Sequence, residues 1–145
     1  MRWKSPLSLP ASASNRLPIT DPLHALDASS NVVYSLVSGC LVATIHGEMT
    51  AESLQAMNQP LLLQLSRSEQ RTVLIDMSSV DLLDLVDFQA LRQMLGAIHL
   101  MGARAVLIGL QAGLAALLVN LGADTRGLRV AGTLEQALSV YGRKA

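Results

Sequence analysis

Residues 72–109 read TVLIDMSSVDLLDLVDFQALRQMLGAIHLMGARAVLIG. Two short apolar runs, Thr72–Asp76 and Arg104–Gly109, stand at the ends of this stretch. A brief apolar run bounded by charge is the pattern of a strand buried on both faces. Between them, Phe88, Leu91, Leu95 and Ile98 fall on one helical face, which Ala90, Met94, Ala97 and Met101 widen. Gln89, Arg92, Gln93, Gly96 and His99 form one narrow polar stripe. The spacing predicts a helix over 84–101 whose apolar arc is wider than a single sheet contact requires. Strand, helix and strand in that order specify a right-handed parallel crossover.

The same grammar extends in both directions. Upstream, Val32–Val37 reads as a strand, Ser38-Gly39 as a turn, and Cys40–His46 as a second strand, which together form a hairpin. Gly47 ends it. Thr50 is a suitable N-cap for a helix over 51–66 with Leu54, Met57, Leu61 and Leu65 on one face; Pro60 inside it is expected to kink or split it. Downstream, Gly102-Ala103 closes the long helix. An almost uncharged helix over 111–121 follows, with Leu114, Leu117, Leu118 and Leu121 on its core side. Leu128–Val130 reads as a short strand. Thr133, with Gln136 three residues on, opens a last helix with a capping-box pattern. The order β-β-α-β-α-β-α-β-α predicts an α/β domain. Its mixed sheet starts with a hairpin and carries about four helices.

A chain of 145 residues suits one domain with room for a tail. Residues 1–30 hold four of the five prolines and many serines without a sustained period, so the domain is placed at 31–145 and the preceding segment is expected to be a disordered tail. Half the residues are apolar and only 3% aromatic, so the core must be aliphatic. Eleven basic and eleven acidic residues leave no net charge. That argues against electrostatic capture of nucleic acid or an anionic membrane, and it favours association. Cys40 is the single cysteine, which excludes an intramolecular disulfide and suits a reducing cytoplasm. No signal-type apolar region or run of about 18 apolar residues predicts a membrane span.

Three segments together resemble a known family. VLIDMSSVDLLDLVDFQALRQML (73–95), MGARAVLIGLQAGLAALLVNLG (101–122) and GTLEQAL (132–138) are similar to the STAS domain of anti-sigma factor antagonists, and within it to the small scaffold protein of bacterial stressosomes. GCLVATI (39–45) matches as well. The resemblance implies a STAS-type fold and a partner-switching role in a stress-response pathway. The implied partners are STAS paralogues or a second copy, an anti-sigma factor, and a serine/threonine kinase of the histidine-kinase-like ATPase type. It implies no cofactor. Family members carry the phosphoacceptor, a Ser or Thr, directly after an Asp at the start of the long helix. Here that Asp is Asp84 and the next residue is Leu85, which has no hydroxyl. Sensor-type members have a second acceptor where this chain has Leu117. Both acceptor positions are therefore degenerate.

The expected partner-binding set is Ser78, Ser79, Asp81, Asp84, Leu85, Asp87 and Phe88. Ser78 or Ser79 could take phosphate in place of position 85, or simply shape the loop through local hydrogen bonds. Asp84 and Asp87 fit an N-cap and a dipole-complementing carboxylate; alternatively, Asp87 supplies a fixed negative charge near the lost acceptor. No His or Cys accompanies the aspartates, so neither a metal site nor acid–base catalysis is expected. His46 and His99 read as surface residues and Cys40 as a small core residue. Gly109, Gly113 and Gly122 read as punctuation and not as a phosphate cradle. Ala115, Ala116 and Val119 lie off the leucine face of their helix; they are either tolerated surface or part of an interface. Three functions remain open: a non-catalytic binding module, a switched antagonist with a moved acceptor, and a small-ligand or enzymatic site in the Asp-lined loop.

Overall fold

The computed structural model describes residues 32–143. Strands β1 (Val32–Val37) and β2 (Cys40–Ile45) form an antiparallel hairpin. The chain then runs through α1 (Ala51–Ser66), β3 (Thr72–Asp76), α2 (Leu85–Leu100), β4 (Arg104–Ile108), α3 (Ala112–Asn120), β5 (Val130–Ala131) and α4 (Leu134–Tyr141). One sheet has the order β1-β2-β3-β4-β5, and all pairings after the hairpin are parallel. The expected tail over 1–30 lies outside the described residues.

Strand alternation divides the core into two layers. Leu41, Ala43, Val73, Ile75 and Leu107 face a large cluster shared with Leu54, Leu61 and Leu65 of α1, Phe88, Leu91 and Ile98 of α2, and Leu114 and Leu118 of α3. Cys40, Val42, Leu74, Val106 and Ile108 face the other way, onto Leu134, Ala137, Leu138 and Tyr141 of α4. Thus β3 has no free face, as its unbroken apolar run predicts. The excess width of the α2 arc also has an ordinary cause: α2 packs against α1 as well as the sheet, and Met94 is buried with the others.

Three details differ from expectation. Pro60 neither splits nor ends its helix, because Leu54 and Met57 before it and Leu61 and Leu65 after it are all buried in the same layer. The carbonyl four residues earlier belongs to exposed Ala56, where water can satisfy it. The last strand is Val130–Ala131 and not 128–130; Leu128 packs on the core and Arg129 only lends its carbonyl to Leu107 N–H. The reciprocal bond at α4 is displaced by one residue. Thr133 Oγ1 accepts from Gln136 N–H, but Gln136 Oε1 accepts from Gly132 N–H. The complete capping box is at α1, between Thr50 and Ser53.

The two helices that follow β2 and β3 are tied together at their N-termini. Asp84 Oδ1 accepts from Asp87 N–H at 2.8 Å, capping α2. The Asp87 side chain leaves its own helix: Oδ1 accepts from Ala51 N–H, the first amide of α1, at 2.8 Å. One carboxylate therefore complements one helix dipole and fills an orphan donor of the next.

Two stability changes follow. Asp87→Ala should cost about 1–2 kcal/mol, because it strands the Ala51 amide. Asp81→Ala, on the exposed part of the loop, should stay within about 0.5 kcal/mol. Equal urea midpoints for the two variants would mean that the bridge carries no stability. Pro60→Ala should raise stability by about 1–3 kcal/mol by restoring a helical hydrogen bond, read in the same melts.

Candidate functional site

The expected site residues are carried by the connection from β3 to α2. Met77, Val80 and Leu83 are buried, and they anchor this loop at three points. Met77 N–H donates to Ile108 C=O at 2.8 Å, which extends the β3–β4 ladder by one rung. Ser78 N–H donates to Asp76 Oδ1 at 3.0 Å, and Ser78 C=O accepts from Gln111 Nε2 at 2.8 Å. These loop-shaping bonds run through the backbone of Ser78. Gly109 passes directly beneath, with φ +72°; a Cβ there would lie 3.0 Å from both Asp76 Oδ1 and Ser78 Cβ. Its absence lets the β4–α3 connection support the β3–α2 loop.

With its anchors inside, the loop shows its other residues to solvent. Ser78, Ser79, Asp81, Leu82, Asp84, Leu85 and Val86 are exposed. Leu82, Leu85 and Val86 are 66%, 44% and 67% exposed; Leu82 stands in the loop, and Leu85 and Val86 open α2. Phe88 is different. It is 3% exposed within the main core, so it holds the helix start in place and offers no surface to a partner. Asp87 is half-buried and bonded to Ala51, which accounts for its carboxylate structurally. Leu117 sits within α3, half-buried against the main core.

The chemistry available here is that of contact. Among the described residues, no group of three His, Cys, Asp or Glu side chains is placed to hold a metal ion. Asp84 and Asp87 point their oxygens at helix amides and not at a common centre. A recess of about 260 Å³ lies between α2, α3 and the β4–β5 edge, but its lining from Met77 to Val130 contains Thr125 as its only polar residue. It offers no set of polar groups to orient a polar substrate. Cys40 lies in the opposite layer, where burial pushes its thiol up against a smaller opposing pull from Arg104. Its Sγ donates to Tyr141 C=O, so it is a packed thiol and not a nucleophile. His46 and His99 are exposed. No helix among the described residues is long and apolar enough to cross a membrane.

Sequence reasoning did not anticipate the Asp87–Ala51 bridge or the support from Gly109 and Gln111. The bridge spans 36 positions, which local spacing cannot reveal. Glycine at the end of an apolar strand was the one available signal for the second.

Comparison with solved structures yields the same architecture. A Moorella thermoacetica RsbS with a serine-to-glutamate substitution aligns at TM-score 0.63 and 24% identity, covering 76% of this chain and 93% of that one. A chain of a structure described as the molecular architecture of the stressosome, a signal integration and transduction hub, aligns at 0.60 and 22% identity, covering 73% and 92%. The anti-sigma factor antagonist SpoIIAA of Bacillus, in its unphosphorylated form, aligns at 0.54 and 9% identity, covering 74% and 94%. Comparison with curated protein sequences gives no significant match. The family profile for the STAS domain matches residues 31–137. That match takes in every strand and the first half of α4, and the chain belongs to the STAS-domain family.

Proposed function

We propose that this chain is a non-catalytic, cytoplasmic protein-binding module of the anti-sigma factor antagonist or stressosome scaffold type, whose partner contact at the head of α2 is not switched by phosphate at position 85. One observation carries the reading: Leu85 occupies the first turn of α2 directly after the Asp84 cap, and its side chain is exposed, as are those of Leu82 and Val86. Exposed aliphatic side chains on a rigid helix start offer a partner an apolar contact. The loop beneath them is pinned by buried anchors and by bonds to the next connection, so the surface is preformed.

The resemblance to the family supplies the class of partner: STAS paralogues, a kinase of the histidine-kinase-like ATPase type, or an anti-sigma factor. In such a pathway a serine at position 85 would accept phosphate. Leucine there leaves the contact permanently apolar. Asp84 and Asp87 keep their charge but direct it at helix amides, Asp84 at its own helix and Asp87 at Ala51.

Phosphopeptide mapping after incubation with the cognate kinase and ATP tests this. The wild-type chain should show no phosphate over 77–88, and Leu85→Ser should gain it at the new hydroxyl. Phosphate on Ser78 or Ser79 of the wild type would replace this reading with a switched antagonist whose acceptor has moved. Both serines are exposed, which leaves them within reach of a kinase.

A further inference from the structure

Capping and core packing leave one stripe of α2 unexplained. Arg92, Gly96 and His99 fall one turn apart along the helix and line a recess of about 350 Å³. Gly127, Leu128 and Arg129, in the segment that enters β5, line it from the other side. A recess of this size falls within the range of small-molecule sites, about 300–1,000 Å³.

Its lining holds cations and, among the described residues, no carboxylate. Arg92 is half-buried; its Nη1 donates to Arg126 C=O at 3.1 Å, and the rest of the guanidinium has no hydrogen-bond partner among the described residues. His99 and Arg129 are exposed, and their side chains pair with no described residue. Arg104 borders the recess as well, but its guanidinium lies 5.3 Å over the Tyr141 ring, so its charge faces the α4 layer. Asp124 lines the adjoining recess, toward Leu85, which also includes Arg92. Both Asp124 oxygens accept from Arg126, at 2.9 and 3.1 Å, and that pair cancels its own charge. Like charges left uncompensated around a concavity raise the local concentration of anions.

Gly96 is an independent observation. It stands inside a 16-residue helix, where glycine is among the least favourable residues. Its φ is not positive, and a Cβ built on it would meet nothing within 4 Å. Neither backbone conformation nor close packing therefore calls for glycine. The missing side chain keeps the recess open and bares helix backbone along its wall. Gly127, on the other side, has an N–H that donates to no described residue. Leu95, Ala105 and Leu128 add an apolar wall that is itself packed on the main core. A solvated polar stripe would account for Arg92 and His99, but not for glycine at position 96.

We propose that this recess binds a small, soluble phosphate monoester. Arg92, His99 and Arg129 hold the phosphate, Gly127 N–H adds a donor, and the organic part lies along Leu95, Ala105 and Leu128. Guanidinium forks match phosphate oxygens in bidentate geometry, and two of them with an imidazole suit a group that carries about two charges and three acceptor oxygens. The bond from Arg92 to Arg126 C=O joins the two walls, so the recess is preformed. The site stands apart from the partner contact: Gly96 is 11 positions beyond Leu85, or about 16 Å along the helix axis. It does not depend on which partner the head of α2 serves.

Calorimetric titration of the full chain with glycerol phosphate and with ribose phosphate tests this, alongside its amide NMR spectrum. At least one ester should bind with a Kd below about 1 mM and shift the amide signals of Gly96 and Gly127; glycerol itself should not bind. Arg129→Ala should weaken binding about tenfold. Gly96→Leu should abolish binding while raising the melting temperature, because leucine favours the helix and fills the recess. Those opposite signs separate a filled site from a damaged fold. The absence of heat and of shifts with both esters at about 10 mM overturns the inference, as does binding that Arg129→Ala and Gly96→Leu both leave unchanged. Capture by phosphatidylcholine vesicles containing phosphatidic acid, or by a phosphoserine peptide, with neither soluble ester bound, would assign the cations to a membrane or to a modified partner, again against the inference. None of these measurements involves phosphate at position 85, so this inference and the proposed function fail separately.

Discussion

Every strand from β2 onward points the same way, and that constraint organises the rest of the molecule. Parallel pairing requires each connection to cross back over the sheet, which the helices do. All four helices then begin at one end. Their first amides have no partners within the helix and gather in one region. Thr50, Asp84 and Thr133 meet that need locally, and Asp87 meets it across helices. Two of the carboxylates at that end, Asp84 and Asp87, are thus accounted for by the fold. The surface available to a partner is what remains after capping has claimed its share.

This division of labour separates residues that look alike in sequence. Asp81, Asp84 and Asp87 are spaced three apart, but each has a different surrounding. Asp84 caps its own helix, Asp87 caps its neighbour, and Asp81 projects from the loop. Leu83, Leu85 and Phe88 divide in the same manner. Leu83 and Phe88 are buried anchors, and Leu85 is a surface residue. A partner reading the head of α2 would meet Asp81, Leu82, Leu85 and Val86 on a frame built from Met77, Val80, Leu83 and Phe88.

The legible part of the fold was the part written in short-range pattern. TVLID and RAVLIG announce buried strands because both faces are covered, and the four anchors of α1 announce a helix at their own spacing. Pro60 misled because its local cost is real but smaller than the burial on either side of it. Phe88 was legible as a residue of the apolar helix face, and its burial there is what removes it from the expected contact set. The Asp87–Ala51 bond was not legible at all, since it depends on α1 lying beside α2.

The aliphatic residue at position 85 has consequences beyond the loss of a hydroxyl. A serine in the first turn of a helix is neutral toward a partner until modified, and phosphate then adds roughly −1.5 to −2 charge at a site already favourable to anions. At this head that charge would join several carboxylates and repel an acidic partner while attracting a basic one. Leucine instead adds to the apolar contact formed with Leu82 and Val86. Under the proposed function, control of such a surface comes from competition for it or from changes in the partner, which suits a component whose partners are the ones switched.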